Sequence, residues 1–125
     1  MSILIKNCTI IDGTGAEPAQ SQSIRIEGNT IIWIGNSNEL PQENQTADEI
    51  IELDNAVVMP GMIDTHVHIS QGYEIDQSGF LADTIPFLTI RAIASCKNIL
   101  ESGFTSVRNM GTYGYIDVAV KKIKS

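Results

Sequence analysis

Basic side chains are scarce in this chain: 8 Lys and Arg stand against 15 Asp and Glu, a formal charge of -7 over 125 residues. Neutralising a nucleic-acid backbone takes clustered cations, so nucleic acid is excluded as the main partner. The only basic cluster, Lys121, Lys122 and Lys124, falls near the end of a helical pattern, where cations complement the helix dipole on a solvated face. Long apolar runs are missing too. No stretch approaches the ~18 residues of a membrane span, and the first residues lack signal-peptide architecture, so a cytoplasmic protein with no membrane partner is expected. Cysteine is limited to Cys8 and Cys96, too few and too far apart for a disulfide framework or a zinc knuckle; both read as reduced, buried small hydrophobes. What remains is 42% hydrophobic against 18% charged residues, enough apolar material for a packed core and unlike a disordered chain.

Charge divides the sequence. Residues 1–60 carry 2 basic and 9 acidic side chains, residues 61–125 six of each. The first part reads as short strands rich in Ile and Val: Ile3 to Lys6, Thr9 to Ile11, Ser23 to Glu27, Thr30 to Gly35, Glu49 to Leu53 and Ala56 to Met59. Between Ser23–Glu27 and Thr30–Ile34 the two-residue link Gly28-Asn29 predicts a tight hairpin. Trp33 and the isoleucines around it are expected in the core of a small sandwich.

The second part changes pattern. An apolar run, Met62 to Ile69, precedes a polar loop. Then Ile85, Leu88, Ala92, Ile93, Cys96, Ile99 and Leu100 recur at helical spacing, with Pro86 suited to the first turn and Gly103 to the stop. Phe104 to Arg108 reads as a strand and Ile116 to Lys124 as a helix. The order β, α, β, α predicts an α/β unit with a parallel sheet and crossover helices. Two such units cannot close a barrel of about 250 residues. The final pattern also stops without a capping glycine, so the sequence reads as the N-terminal part of a longer polypeptide.

The only histidines, His66 and His68, are two apart in a predicted strand, Pro60-Gly-Met-Ile-Asp-Thr-His-Val-His68. Residues i and i+2 of a strand share a face, so Asp64, His66 and His68 are expected on one side and Thr65 and Val67 on the other. Paired imidazoles at this spacing can bind one divalent cation, Zn²⁺ being the usual choice, but two ligands do not complete a site. Two readings stand: metal ligands, or ordinary inward polar residues. Their place at a strand's C-terminal end, followed by the long loop Ser70 to Asp83, favours the first if the strand belongs to a barrel. That loop carries Tyr73, Glu74, Asp76 and Phe80 and is a candidate substrate lid or a solvated connection. Arg108, at the end of the next predicted strand, could meet a substrate carboxylate or a neighbouring acid.

The stretch Val57-Val-Met-Pro-Gly-Met-Ile-Asp-Thr-His-Val-His68 resembles the signature of the metal-dependent amidohydrolase superfamily. Ile3-Leu-Ile-Lys-Asn-Cys-Thr-Ile-Ile-Asp-Gly-Thr-Gly15 and Ile31-Ile-Trp-Ile-Gly35 resemble the β-sandwich that precedes the barrel in that superfamily. Leu100-Glu-Ser-Gly-Phe-Thr-Ser-Val-Arg-Asn-Met-Gly111 is similar to its imidazolonepropionase-like and prolidase-like branch, with Asn109 where that branch frequently has Asp. The resemblance implies a sandwich portion over residues 1–58 and the first βα units of a (β/α)8 barrel over 59–125. It also implies His66 and His68 as ligands to one or two divalent metals, Zn²⁺ first among them. On the same resemblance Asp64 is expected to orient the histidines or pack at the strand rather than bind metal. The implied activity is metal-assisted hydrolysis of a C–N bond in a small amide, peptide or cyclic amide, with the remaining ligands and the proton-shuttling carboxylate outside this span. The alternative is a non-catalytic module that buries its open strand edges by self-association or against a partner chain.

Overall fold

The computed structural model describes residues 1–54, 56–71 and 83–123. The chain forms two compact units, Met1–Pro60 and Gly61–Ser125, within a mixed α/β composition.

The first unit is one five-stranded sheet. Strands β1 (Ser2–Ile10), β2 (Ala19–Glu27), β3 (Thr30–Asn36) and β4 (Glu49–Glu52) lie in the order β3-β2-β1-β4, and β5 (Val57–Val58) pairs with the end of β1. The β1–β2 and β2–β3 pairs are antiparallel, whereas β4 and β5 run parallel to β1. The two strands expected over residues 3–11 are one continuous strand. It is bulged between Ile5 and Cys8, where Asn7 takes φ 58°, a region that asparagine tolerates better than most residues. The hairpin forms as predicted: Glu27 pairs with Thr30, and Gly28 at φ 59° supplies the positive φ that a two-residue loop requires at its first position.

The core of this sheet contains Leu4, Cys8 and Ile24, and buries the polar Ser23 and Arg25 beside them. Ser23 is satisfied by the Ser37 hydroxyl at 2.8 Å, whereas Arg25 reaches Glu27 through Nη2 alone, at 3.3 Å. The expectation of an isoleucine core around Trp33 is not met. Ile31, Ile32 and Ile34 are 56, 47 and 51% exposed, because β3 is the edge strand and a bulge opposite Arg25–Ile26 interrupts its alternation.

The second unit pairs β6 (Met62–Val67) parallel to β7 (Phe104–Asn109), connected through helix α1 (Ile85–Glu101). Pro86 sits in the first turn of α1, and Gly103 at φ 89° follows Ser102, whose N–H closes the last turn onto Asn98. A 3-10 turn, Tyr113–Tyr115, leads into α2 (Ile116–Lys122), which ends before the extended Ile123 and carries Lys121 and Lys122 in its last turn; Lys124 of the predicted span lies outside the described residues. Ile69, Leu88, Ala92 and Ile116 form the core of this unit, with Val67, Cys96, Ile99 and Val120 packed around them. Among the described residues, no helix is long and apolar enough to cross a membrane. Tyr73, Glu74, Asp76 and Phe80 of the candidate lid lie outside the described residues.

Candidate functional site

The two histidines sit where β6 leaves the sheet: His66 within the strand and His68 one residue past its end, at the carboxyl edge of a parallel pair. In open α/β sheets, ligands collect at that edge. The imidazoles stand together, with ring centroids 5.5 Å apart and planes inclined at 65°. Their surroundings follow from the pairing register. Asp64 pairs with Val107 and Val67 with Asn109, so Thr65 and His66 together oppose Arg108 alone, and β6 bulges there.

The bulge breaks the simple alternation that sequence reasoning relies on. Val67 packs against the helical core, and Asp64 lines a cleft of about 330 Å³ with Val67, His68, Ser95 and Ile99. The carboxylate of Asp64 accepts the backbone N–H of His66 at 3.0 Å, a local bond that stiffens the bulge. Arg108 is held across the same irregularity, its Nε donating to Thr65 O at 2.8 Å, which occupies a backbone carbonyl that the bulge leaves out of the ladder.

Past the strand, side chains replace the ladder. Met110 N–H still reaches Val67 O at 2.9 Å. Beyond it, Asn109 Oδ1 accepts from Ile69 N–H at 3.2 Å, His68 Nδ1 lies 3.2 Å from Gly111 O, and the Ser70 and Thr112 hydroxyls meet at 2.8 Å. A carbonyl can only accept, so the His68 contact is a hydrogen bond when Nδ1 carries the proton, which leaves the Nε2 lone pair free. Ser70, Gly111 and Thr112 were not among the residues singled out by sequence. The signal was weak: two small polar residues and a glycine near the ends of paired strands, whose partnership depends on register.

As a donor set, two imidazoles fit part of a divalent-metal site. Among the described residues there is no group of three or more His, Cys, Asp or Glu placed to hold an ion, so this chain contributes at most two such ligands from them.

A parallel strand-helix-strand unit with paired imidazoles at its carboxyl edge defines an α/β protein with two candidate ligands side by side. The chain belongs to the amidohydrolase family, whose model matches residues 57–125. It is 42% identical over 71 residues to a dihydroorotase of Bacillus pumilus, covering 57% of this chain and 15% of that protein. It is 37% identical over 71 residues to a 5-methylthioadenosine/S-adenosylhomocysteine deaminase of Caldicellulosiruptor saccharolyticus, covering 57% of this chain and 17% of the relative. Among solved structures, a Xaa-Pro dipeptidase with bound methionine in its active site superposes with a TM-score of 0.81 and 28% identity, covering 96% of this chain and 29% of the other. The chain therefore spans less than a third of the length of each of these proteins.

Proposed function

We propose that this chain is the leading part of a metal-dependent hydrolase of C–N bonds. Residues 1–58 belong to its β-sandwich and residues 59–125 to the first two βα units of its (β/α)8 barrel. The observation that carries this reading is the pair of adjacent imidazoles, 5.5 Å apart, at the carboxyl edge of the parallel β6–β7 pair. Barrel enzymes place their chemistry at that edge. Relatives named as a dihydroorotase and a Xaa-Pro dipeptidase support a small amide, cyclic amide or peptide as the substrate class.

His66 and His68 hold the metal, Zn²⁺ first among the candidates. When bound, a divalent cation supplies an acidified water and polarises a scissile carbonyl. The residues of this chain provide geometry: Gly111 O holds the His68 ring through Nδ1, and Asp64 fixes the backbone at His66. The carboxylate that moves the proton comes from beyond this span, so the 125-residue chain by itself turns over no substrate.

The test is replacement of His66 or His68 by Ala in the longer polypeptide. Both variants should lose bound metal and fall in turnover by about 100-fold or more, beyond the roughly 10–100-fold that losing only a ligand's hydrogen-bond partner costs. Full activity in both would overturn the assignment. A second reading, self-association, is favoured by Ile90, Ile93 and Leu100 of α1, which are 68, 50 and 61% exposed. A size-exclusion mass of one protomer for the 125-residue chain would count against it.

A further inference from the structure

We propose that Asn109 is a positioning residue for His68, acting through the backbone N–H of Ile69. The proposal rests on reading His68 as a metal ligand, and its test separates the two.

The ladder between β6 and β7 ends at the Val67–Asn109 pair, and its last bond runs from Met110 N–H to Val67 O. Ile69 lies two residues further on, 4% exposed, with its side chain in the core beside Leu88, Ala92 and Ile116. Its N–H faces Asn109 Oδ1 at 3.2 Å rather than a strand carbonyl. Because that N–H can only donate, the amide atom turned toward it is the oxygen, which fixes the orientation of the Asn109 side chain. A buried N–H deprived of its acceptor is destabilising, so this bond holds the backbone of Ile69 in place.

His68 is thereby held on both sides: Val67 by the ladder, and Ile69 by its packed side chain and the Asn109 bond. That leaves little freedom for its backbone, and the ring settles with Nδ1 3.2 Å from Gly111 O. Asn109 Nδ2 is buried with no hydrogen-bond partner among the described residues. The side chain therefore acts through its oxygen, and an aspartate would make the same bond to Ile69.

The experiment compares the ¹⁵N-labelled, metal-free 125-residue chain with its Asn109→Ala and Asn109→Asp variants. Imidazole nitrogen spectra are recorded at about pH 8.5, above the ordinary histidine range. The native chain and Asn109→Asp should show His68 with its proton on Nδ1. Asn109→Ala should shift His68 toward the Nε2–H form, with His66 unchanged as the internal reference, and weaken Zn²⁺ binding about tenfold in a chelator competition. An unaltered His68 tautomer in Asn109→Ala overturns the proposal. Should the alanine variant not fold, Asn109→Leu, of similar size and without the Oδ1 acceptor, decides: an unaltered Nδ1–H form there overturns the proposal, and a shift toward the Nε2–H form supports it. A tautomer that changes as expected while the His66→Ala and His68→Ala variants of the longer polypeptide keep their metal supports the positioning role and removes the metal reading. Equal Zn²⁺ affinity in native and alanine chains with an unchanged tautomer removes the positioning role alone.

Discussion

Gly61 offers the sharpest test of the packing described here. A Cβ at this position would overlap Thr105 Cγ2 and Oγ1 and stand 2.7 Å from Thr105 Cβ. Rotating Thr105 relieves at most one of the first two contacts, because its two γ atoms always fill two of the three staggered positions, and it cannot relieve the third, because its Cβ is fixed to the backbone of β7. Restoring an ordinary carbon contact means parting the chains by roughly 1 Å. That movement strains the Met62 N–H to Gly103 O bond of 2.9 Å and the Met62–Phe104 pairing beside it. Overpacking of this kind costs about 1–3 kcal/mol. Gly61 is not among the glycines with positive φ, so alanine recovers part of this, about 0.4–1 kcal/mol, by restricting the unfolded chain. The net expectation for Gly61→Ala is a loss of about 1–2 kcal/mol, or roughly 5–15 °C in Tm for a unit of this size.

Both described α-helices lie in this unit, so helical circular dichroism reports its unfolding, whereas Trp33 fluorescence reports the sheet of the first unit. Gly61→Ala should lower the first transition. In a Thr105→Gly background the same substitution should cost less than about 0.5 kcal/mol, the coupling expected of two groups in direct contact. Gly61 lies at the opposite end of β6 from His68, so the His68 tautomer should not change. An equal loss with and without the Thr105 side chain would refute the steric argument.

Three further outcomes follow from the burial and charge pattern. Arg25 is 6% exposed, and its Nε and Nη1 are buried with no hydrogen-bond partner among the described residues, so Arg25→Met should leave the stability of the first sheet unchanged or raise it; a fall in Tm of more than about 5 °C would contradict this. Asp48 accepts the Ser2 N–H at 2.7 Å, which holds its carboxyl below the usual carboxylate range. A depressed pKa contributes stability that is present above the ordinary carboxylate range and lost as pH falls through the lowered value, so Asp48→Asn should flatten the acid limb of the stability curve, read by denaturant titration between about pH 5 and 2. Burial pushes the thiols of Cys8 and Cys96 up, so both should react slowly with iodoacetamide at neutral pH and speed up in urea; fast labelling of Cys8 in the folded chain would place it at the surface instead.

Short-range physics fixed much of this protein from its sequence. The Gly28-Asn29 hairpin, the helix from Ile85 bounded by Pro86 and Gly103, and the parallel strand order all follow from turn chemistry and periodicity acting over a few residues. The paired imidazoles were legible for the same reason, because their spacing alone makes them neighbours. Register was not legible. Which residue faces which across two strands separated by 40 positions is set by the packing of the whole unit. Only the fold therefore places the bulge at Thr65 and His66, gives Arg108 the Thr65 carbonyl, and turns Asn109 toward Ile69. The same limit explains Ile31, Ile32 and Ile34: their apolarity suits a strand, but whether anything covers them depends on the position of β3 at the sheet edge. Local sequence chooses conformation through sterics and hydrogen bonding close along the chain, whereas contacts between distant segments are chosen by burial that no local pattern records.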